Sequence, residues 1–80
     1  MKRLSITYYA IFREQRGLSS EELQTSAATF VELYAELQES HGFNLEPALV
    51  RVAVNGAFVP MEQAIREDDA IVFIPPVAGG

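Results

Sequence analysis

The stretch Ala70-Ile71-Val72-Phe73-Ile74-Pro75-Pro76-Val77-Ala78-Gly79-Gly80 decides the fold of this 80-residue chain. Its first five residues are apolar and rich in β-branched and aromatic side chains, which predicts a central strand. Pro75 has no N–H to donate to a ladder, and both proline rings fix φ near about −65°. The chain is therefore expected to leave the sheet as a stiff, extended arm. Val77 and Ala78 follow, and the final glycines lack the Cβ atoms that would block a narrow channel.

The functional hypothesis concerns the terminal carboxylate of Gly80. A carboxylate is a poor electrophile until it is activated as a mixed anhydride, and a glycine at the end of an arm can be presented inside another protein. A terminal Gly-Gly also occurs by chance. Two prolines directly after a strand favour a working arm over that alternative. We therefore expect residues 1–74 to form the folded domain and residues 75–80 to form a protruding Gly-Gly tail.

Composition limits the other functions. Eighty residues fit one small domain without room for a deep enclosed active site. Cysteine is absent, which removes thiolate nucleophiles and thiolate metal sites, and the net charge of −5 argues against binding to nucleic acid. No apolar run approaches the ~20 residues of a membrane span, and the N-terminal residues alternate as in a strand, not as in a signal peptide. We expect a cytoplasmic protein with no permanently bound cofactor or metal.

The first half of the chain predicts two strands and then a helix. Leu4, Ile6 and Tyr8 alternate with polar residues, which predicts a first strand with one face in the core. Residues 10–17 predict a helical turn or loop, residues 19–22 a polar turn, and residues 23–25 a short second strand hairpinned to the first.

Thr29 and Glu32 form a capping box that predicts the start of the main helix. Its apolar stripe should cover the sheet, and Gly42 fits the left-handed position after its end. The stripe consists of Phe30, Leu33, Tyr34 and Leu37. His41 lies in the last turn, where a structural or neutral role is favoured over a catalytic one.

The second half predicts three more strands. Residues 49–54 form a third strand, and Asn55-Gly56 predicts a type I′ turn into residues 57–59. Pro60 limits that strand to an edge, and residues 61–65 should pack across the bottom of the sheet. Residues 66–69 read as a charged turn, in which Glu67, Asp68 and Asp69 are better explained as solvated than as metal ligands.

The order of elements is that of an α+β β-grasp (ubiquitin-like) domain, with a mixed sheet of about four to five strands packed on one main helix and an extended C-terminal tail. The ending Pro75-Pro76-Val77-Ala78-Gly79-Gly80 resembles the Pro-Pro-Val-(Ser/Thr/Ala)-Gly-Gly ending of the small subunit of molybdopterin synthase, a family of ubiquitin-like sulfur carriers. Residues 8–14 with Gly17 resemble that family's aromatic-Ala-x-x-Arg-Glu segment. The chain departs from the family at Asp68-Asp69-Ala70, where Gly-Asp-Glu is usual.

The resemblance implies a function and its partners. An adenylyltransferase similar to ubiquitin-activating enzymes would use MgATP to adenylate Gly80, and a sulfur donor protein would convert the adenylate to a thiocarboxylate. The arm would then enter the large synthase subunit, which supplies the catalytic residues, and deliver sulfur to cyclic pyranopterin monophosphate. The family assembles as a heterotetramer with two copies of each subunit.

Two other functions stay open. One is a sulfur carrier for thiamine or tRNA thiolation, which the Pro-Pro pair disfavours. The other is a protein modifier or a plain interaction module. Lys2 is the only lysine in the sequence, which argues against a modifier that forms chains through its own lysines.

One face of the sheet should stay uncovered, because a single helix covers only the other. Tyr9, Phe58, Val72 and Ile74 are candidates for an apolar partner-binding patch on the uncovered face, with Arg13 at its rim. The alternatives are that the strand parity is misjudged and these side chains are core, and that Arg13 is solvated and paired with Glu14 or Glu67.

Overall fold

A computed structural model of the protein describes residues 1–76. The elements follow in the order β1 (Lys2–Tyr8), α1 (Ala10–Arg16), β2 (Ser20–Thr25), α2 (Phe30–His41), a short 3-10 turn (Pro47–Leu49), β3 (Arg51–Val54), β4 (Ala57–Val59) and β5 (Ala70–Ile74). One five-stranded mixed sheet has the strand order β2-β1-β5-β3-β4. This is the predicted β-grasp arrangement, with β5 in the middle of the sheet.

The pairing of β5 joins the two halves of the chain. β5 runs parallel to β1, with Ile6 opposite Ile71, and antiparallel to β3, with Val52 opposite Phe73. A parallel pair cannot be closed by a tight turn, so the intervening chain must cross over. In this protein α2 makes the crossover and covers one face of the sheet.

The main helix follows the sequence pattern. Phe30, Leu33, Tyr34 and Leu37 are buried against the sheet. At the start of the helix the Thr29 hydroxyl accepts from the N–H of Glu32 at 3.3 Å, which is the first half of the predicted capping box. The Glu32 carboxylate accepts from the same hydroxyl at 3.4 Å. Gly42 ends the helix at φ 70°, as predicted.

The edge strand β4 is short for the predicted reasons. Asn55 and Gly56 have φ values of 52° and 89°, the two positive values that a type I′ turn requires. Pro60 follows Val59 and ends the strand. The segment after it packs below the helix, where the N–H of Val31 donates to the carbonyl of Met61 and Ile65 is buried.

Three local predictions are wrong. Residues 20–22 are not a turn but the first half of β2, which pairs with β1 from Ser20 opposite Thr7. Its connection to β1 contains the full helix α1, so the two strands do not form a tight hairpin. The charged turn is not wholly solvated, since Asp69 is only 7% exposed. Its carboxylate accepts from the N–H of Arg66 at 2.9 Å, so backbone hydrogen bonding makes its burial tolerable.

Candidate functional site

The tail begins at the centre of the sheet. Ile74 is the last residue of β5 and pairs with Arg51, the first residue of β3. Pro75 is half-buried and Pro76 exposed, and neither belongs to a strand. Val77, Ala78, Gly79 and Gly80, on which the functional hypothesis depends, lie outside the described residues.

An aromatic cluster underlies the end of the sheet from which the tail departs. Phe73 packs on Tyr34 at a centroid distance of 5.5 Å, and Tyr34 meets Phe12 of α1 at 5.9 Å. Phe43 closes the cluster, at 5.0 Å from Phe12 and 5.9 Å from Tyr8. These buried rings pack β1, β5, both helices and the chain after α2 against one another. Ile74 and Pro75 therefore follow directly on a well-packed part of the core.

A polar network fixes α1 beside this cluster. The Glu21 carboxylate accepts from Arg16 Nε and Nη2, both at 2.8 Å, and from the Tyr8 hydroxyl at 2.7 Å. The hydrogen bond from Arg16 holds the pKa of the Glu21 carboxyl below its ordinary value of 4.5. Burial, and then the hydrogen bond to Glu21, raise the pKa of Tyr8. The network ties the end of α1 to β1 and β2. Tyr9 lies between β1 and α1, two of the elements that the network connects.

The uncovered face of the sheet carries the predicted apolar residues. Val72 and Ile74 are half-buried and alternate with the buried Ile71 and Phe73, so the strand parity inferred from the sequence is correct. Val72 pairs with Ala53, and Ala53 pairs with Phe58. Phe58 is 63% exposed. These three residues form a row across β5, β3 and β4.

Tyr9 lies at the tail end of the same sheet. It follows Tyr8, the last residue of β1, which is opposite Phe73 of β5. Its backbone is extended, with φ −123° and ψ 153°, so it continues the alternation of β1, and its side chain is 52% exposed. We call the set Tyr9, Phe58, Val72, Ile74, together with Arg51 and Ala53, the open face.

Arg13 lies exposed on α1, four residues after Tyr9. Arg13 pairs with neither Glu14 nor Glu67, the two partners considered from the sequence. The ion pair present within residues 1–76 joins Arg16 and Glu21. In the part of the chain that the structure describes, no ion pair joins Arg13 to the open face, so its place at the rim stays a prediction.

Sequence reasoning missed Arg51. Its guanidinium carbon lies 5.7 Å from the ring centroid of Phe58, and it pairs with Ile74 at the origin of the tail. The sequence feature that could have revealed Arg51 is the two-residue Asn55-Gly56 turn, because it sets the register of β3 against β4. Counting back from that turn puts Arg51 and Phe58 on the same face.

The described residues hold no group of three or more His, Cys, Asp or Glu side chains placed to bind a metal ion. Within the same residues, no helix has the length and apolar character needed to cross a membrane. The arrangement that the structure does offer is a rigid domain with an apolar face beside the start of the tail.

Comparison with known proteins assigns this arrangement to a class. A solved structure from Pyrococcus furiosus, provisionally named molybdopterin converting factor, subunit 1, superposes with a TM-score of 0.77 at 26% identity over 96% of this chain and 100% of that one. A chain from the complex of subunits 1 and 2 of the molybdopterin-converting factor of Helicobacter pylori 26695 has a TM-score of 0.65 at 22% identity, covering 98% of this chain and 99% of that one. The protein is therefore a ubiquitin-like β-grasp domain.

The sequence comparison narrows the class to a family. The ThiS family model matches residues 6–80, and the chain belongs to the ThiS family. The molybdopterin synthase sulfur carrier subunit of Haemophilus influenzae is 32% identical in an alignment that covers 96% of this chain and 99% of that protein. The resemblance drawn from the sequence is confirmed.

Proposed function

We propose that this protein is the sulfur-carrier small subunit of a molybdopterin synthase in molybdenum cofactor biosynthesis. The observation that carries the proposal is the 32% identity to a molybdopterin synthase sulfur carrier subunit along nearly the whole of both chains. The Pro75-Pro76 pair directly after β5 supports it, because it ends the pairing of the central strand at the point where the tail begins.

The working group is the carboxylate of Gly80. An adenylyltransferase uses MgATP to convert this carboxylate to an acyl adenylate, with release of pyrophosphate. A sulfur donor protein then supplies sulfur at the oxidation level of sulfide to the acyl carbon, AMP leaves, and a thiocarboxylate remains. The thiocarboxylate sulfur is nucleophilic at neutral pH, and its acyl bond is labile enough to release sulfur to an acceptor.

The acceptor is cyclic pyranopterin monophosphate, held by the large synthase subunit. Two loaded tails deliver the two sulfur atoms of the molybdopterin dithiolene, and each delivery returns the Gly80 carboxylate once water has cleaved the acyl bond. Val77, Ala78 and Gly79 span the channel of the partner, where enclosure limits premature hydrolysis. The catalytic residues belong to the large subunit, so this chain is a donating component of a sulfurtransferase.

The open face docks the partner. A contiguous exposed apolar surface beside a functional tail is typical of an interaction site. The related Helicobacter pylori protein was solved in complex with a second subunit, which supports a large-subunit partner for this chain. We propose a cytoplasmic heterotetramer with two copies of each subunit, with no nucleic-acid or membrane partner.

Intact-mass analysis tests the carrier chemistry. The protein is incubated with the adenylyltransferase of the same organism, MgATP and a sulfide source, alongside a variant lacking Gly80. Exchange of one terminal oxygen for sulfur in the full chain, and no exchange in the variant, is the expected result. Adducts joined by isopeptide bonds, or a terminus that never changes, would contradict the proposal and favour a modifier or an interaction module.

A second measurement separates the pathways. Molybdopterin formation is followed with the loaded protein, the large subunit and cyclic pyranopterin monophosphate. The variant lacking Gly80 should bind the large subunit but form no product. Sulfur transfer to a thiamine or tRNA thiolation enzyme, with none to the pterin, would assign the carrier to another pathway.

A further inference from the structure

We propose that Arg51 is a specificity-determining residue of the open face. The partner presents one carboxylate to the Arg51 guanidinium and one apolar side chain to the groove beside Phe58. This inference rests on the proposed function, since the partner is the large synthase subunit.

The charge distribution on the open face leads to this assignment. On β3, β4 and β5 the residues that point away from the helix are, with one exception, uncharged: Ala53, Phe58, Ala70, Val72 and Ile74. The exception is Arg51. A partner that covers this surface removes the guanidinium from water, and an unpaired buried charge is costly. A partner that binds well must therefore place a carboxylate against it.

Arg51 already contacts Phe58 in the absence of a partner. Its guanidinium lies over the Phe58 ring at 5.7 Å from the centroid, within the range of a cation–π interaction. Within residues 1–76 the ion pair present uses Arg16, so Arg51 does not form one there. A planar guanidinium that has no ion-pair partner within residues 1–76 is suited to bidentate binding of a carboxylate.

A groove next to the guanidinium provides the second contact. It measures about 460 Å³ and is lined by Ala48, Val50, Phe58 and Met61 together with Arg51. It continues the open face around the edge strand β4. A groove lined mainly by apolar side chains takes an apolar side chain of the partner, which would sit directly beside the carboxylate.

The net charge of the chain limits how the partner can supply that carboxylate. At −5 the protein repels a broadly acidic surface. The carboxylate must therefore be a single residue within a neutral or basic surface. Such a local pair contributes to the choice of partner and to its orientation more than to long-range attraction.

The test is calorimetric titration of the large subunit of the same organism with the full chain, at about 0.05 M and about 0.5 M salt. Arg51→Met should weaken binding about 10-fold and Arg51→Glu about 100-fold at low salt. Arg51→Lys should fall between the wild type and Arg51→Met, because an ammonium cannot form the bidentate pair. Arg66→Met, which removes an exposed arginine from the turn before β5, is the matched control and should bind like the wild type.

The salt dependence gives a second readout. Binding of the wild type should weaken at high salt, and binding of Arg51→Met should change less, because the ion pair is already missing. Equal affinity and equal salt dependence of Arg51→Met and wild type would overturn this inference while leaving the proposed function intact. If the wild type itself fails to bind the large subunit, both are overturned.

Discussion

The side-chain amide of Asn55 donates to the buried carboxylate of Asp69, Nδ2 to Oδ1, at 3.3 Å. The same amide accepts from the N–H of Ala70 at 3.0 Å through Oδ1, and the N–H of Asn55 donates to the carbonyl of Ala70 at 2.8 Å. The turn between β3 and β4 is thereby tied to the first residue of the central strand. One side chain thus donates to one oxygen of a buried carboxylate and accepts from the first residue of β5.

Asn55→Ala should lower the free energy of unfolding by about 1–3 kcal/mol, because Oδ1 of Asp69 and the Ala70 N–H both lose the hydrogen bond to the Asn55 amide, while Oδ2 of Asp69 keeps its bond to Arg66. Asn55 also has a φ of 52°, which alanine adopts poorly. Asn55→Gly is the matched variant, since it loses the hydrogen bonds but accepts the backbone angle. Urea unfolding should rank wild type above Asn55→Gly above Asn55→Ala. Equal stability of all three would show that the amide does not hold the turn.

Asp68→Gly should stabilise the protein. Asp68 has a φ of 67°, a left-handed backbone conformation that glycine adopts without strain. Asp68→Ala serves as the control, because it removes the same charge but keeps a Cβ in the left-handed region. We expect the glycine variant to be more stable than the alanine variant by about 1 kcal/mol, measured by thermal or urea unfolding. The reverse order would mean that the turn does not require a left-handed residue at this position.

The Glu21 network should give the fold a specific sensitivity to acid. Because the pKa of Glu21 is lower in the folded protein than its ordinary value of 4.5, the unfolded chain binds the proton first. The stabilisation is therefore complete above about pH 4.5 and is lost as the pH falls further. Glu21→Gln should be less stable than the wild type at neutral pH and should lose less stability between about pH 5 and about pH 3.

Glu39→Gln is the control for this experiment, since Glu39 is exposed on α2. Its stability should fall with acid as steeply as that of the wild type. Urea unfolding at each pH provides the comparison. If Glu21→Gln and Glu39→Gln gave the same pH profile, the hydrogen bonds from Arg16 and Tyr8 would not contribute to acid stability.

Phe58→Ser should weaken binding to the large subunit about 10-fold or more, because an exposed aromatic ring in an interface is a frequent hot spot. Its free energy of unfolding should change by only about 0.5 kcal/mol or less, since the ring is 63% exposed. Val31→Ser removes another exposed apolar side chain, 38% exposed, from α2 on the opposite side of the sheet. It should bind as the wild type does, and similar losses for both variants would argue against docking at the open face.

The sequence predicts most of the fold because the periodic patterns and the turn residues agree. The stripe of α2, the positive φ values at Asn55 and Gly56 and the central place of β5 each follow from a local rule that the tertiary structure does not override. β2 is underestimated for a physical reason. Glu21 occupies a position of β2 that faces the core. A carboxylate is acceptable there because Arg16 and the Tyr8 hydroxyl donate to it. The local sequence pattern of β2 reveals neither partner.

The candidate site is predicted in part for a similar reason. Val72 and Phe58 can be placed on the open face from strand alternation alone. Arg51 cannot be recognised by alternation, since an arginine at the start of a strand is usually solvated. Its role depends on the register that brings it to Phe58 and Ile74. The burial of Asp69 likewise depends on two hydrogen bonds that the sequence pattern does not show. One comes from the Asn55 side chain in the turn between β3 and β4, and the other from the backbone N–H of Arg66.

The position of β5 between β1 and β3 has a mechanical consequence. A pull on Pro75 acts along the axis of β5, whose hydrogen bonds run across that axis on both sides, perpendicular towards the antiparallel β3 and slanted towards the parallel β1. The hydrogen bonds on the two sides are then loaded together in shear and do not open one at a time. Under the proposed function, withdrawal of the tail from the partner should therefore leave the folded domain intact.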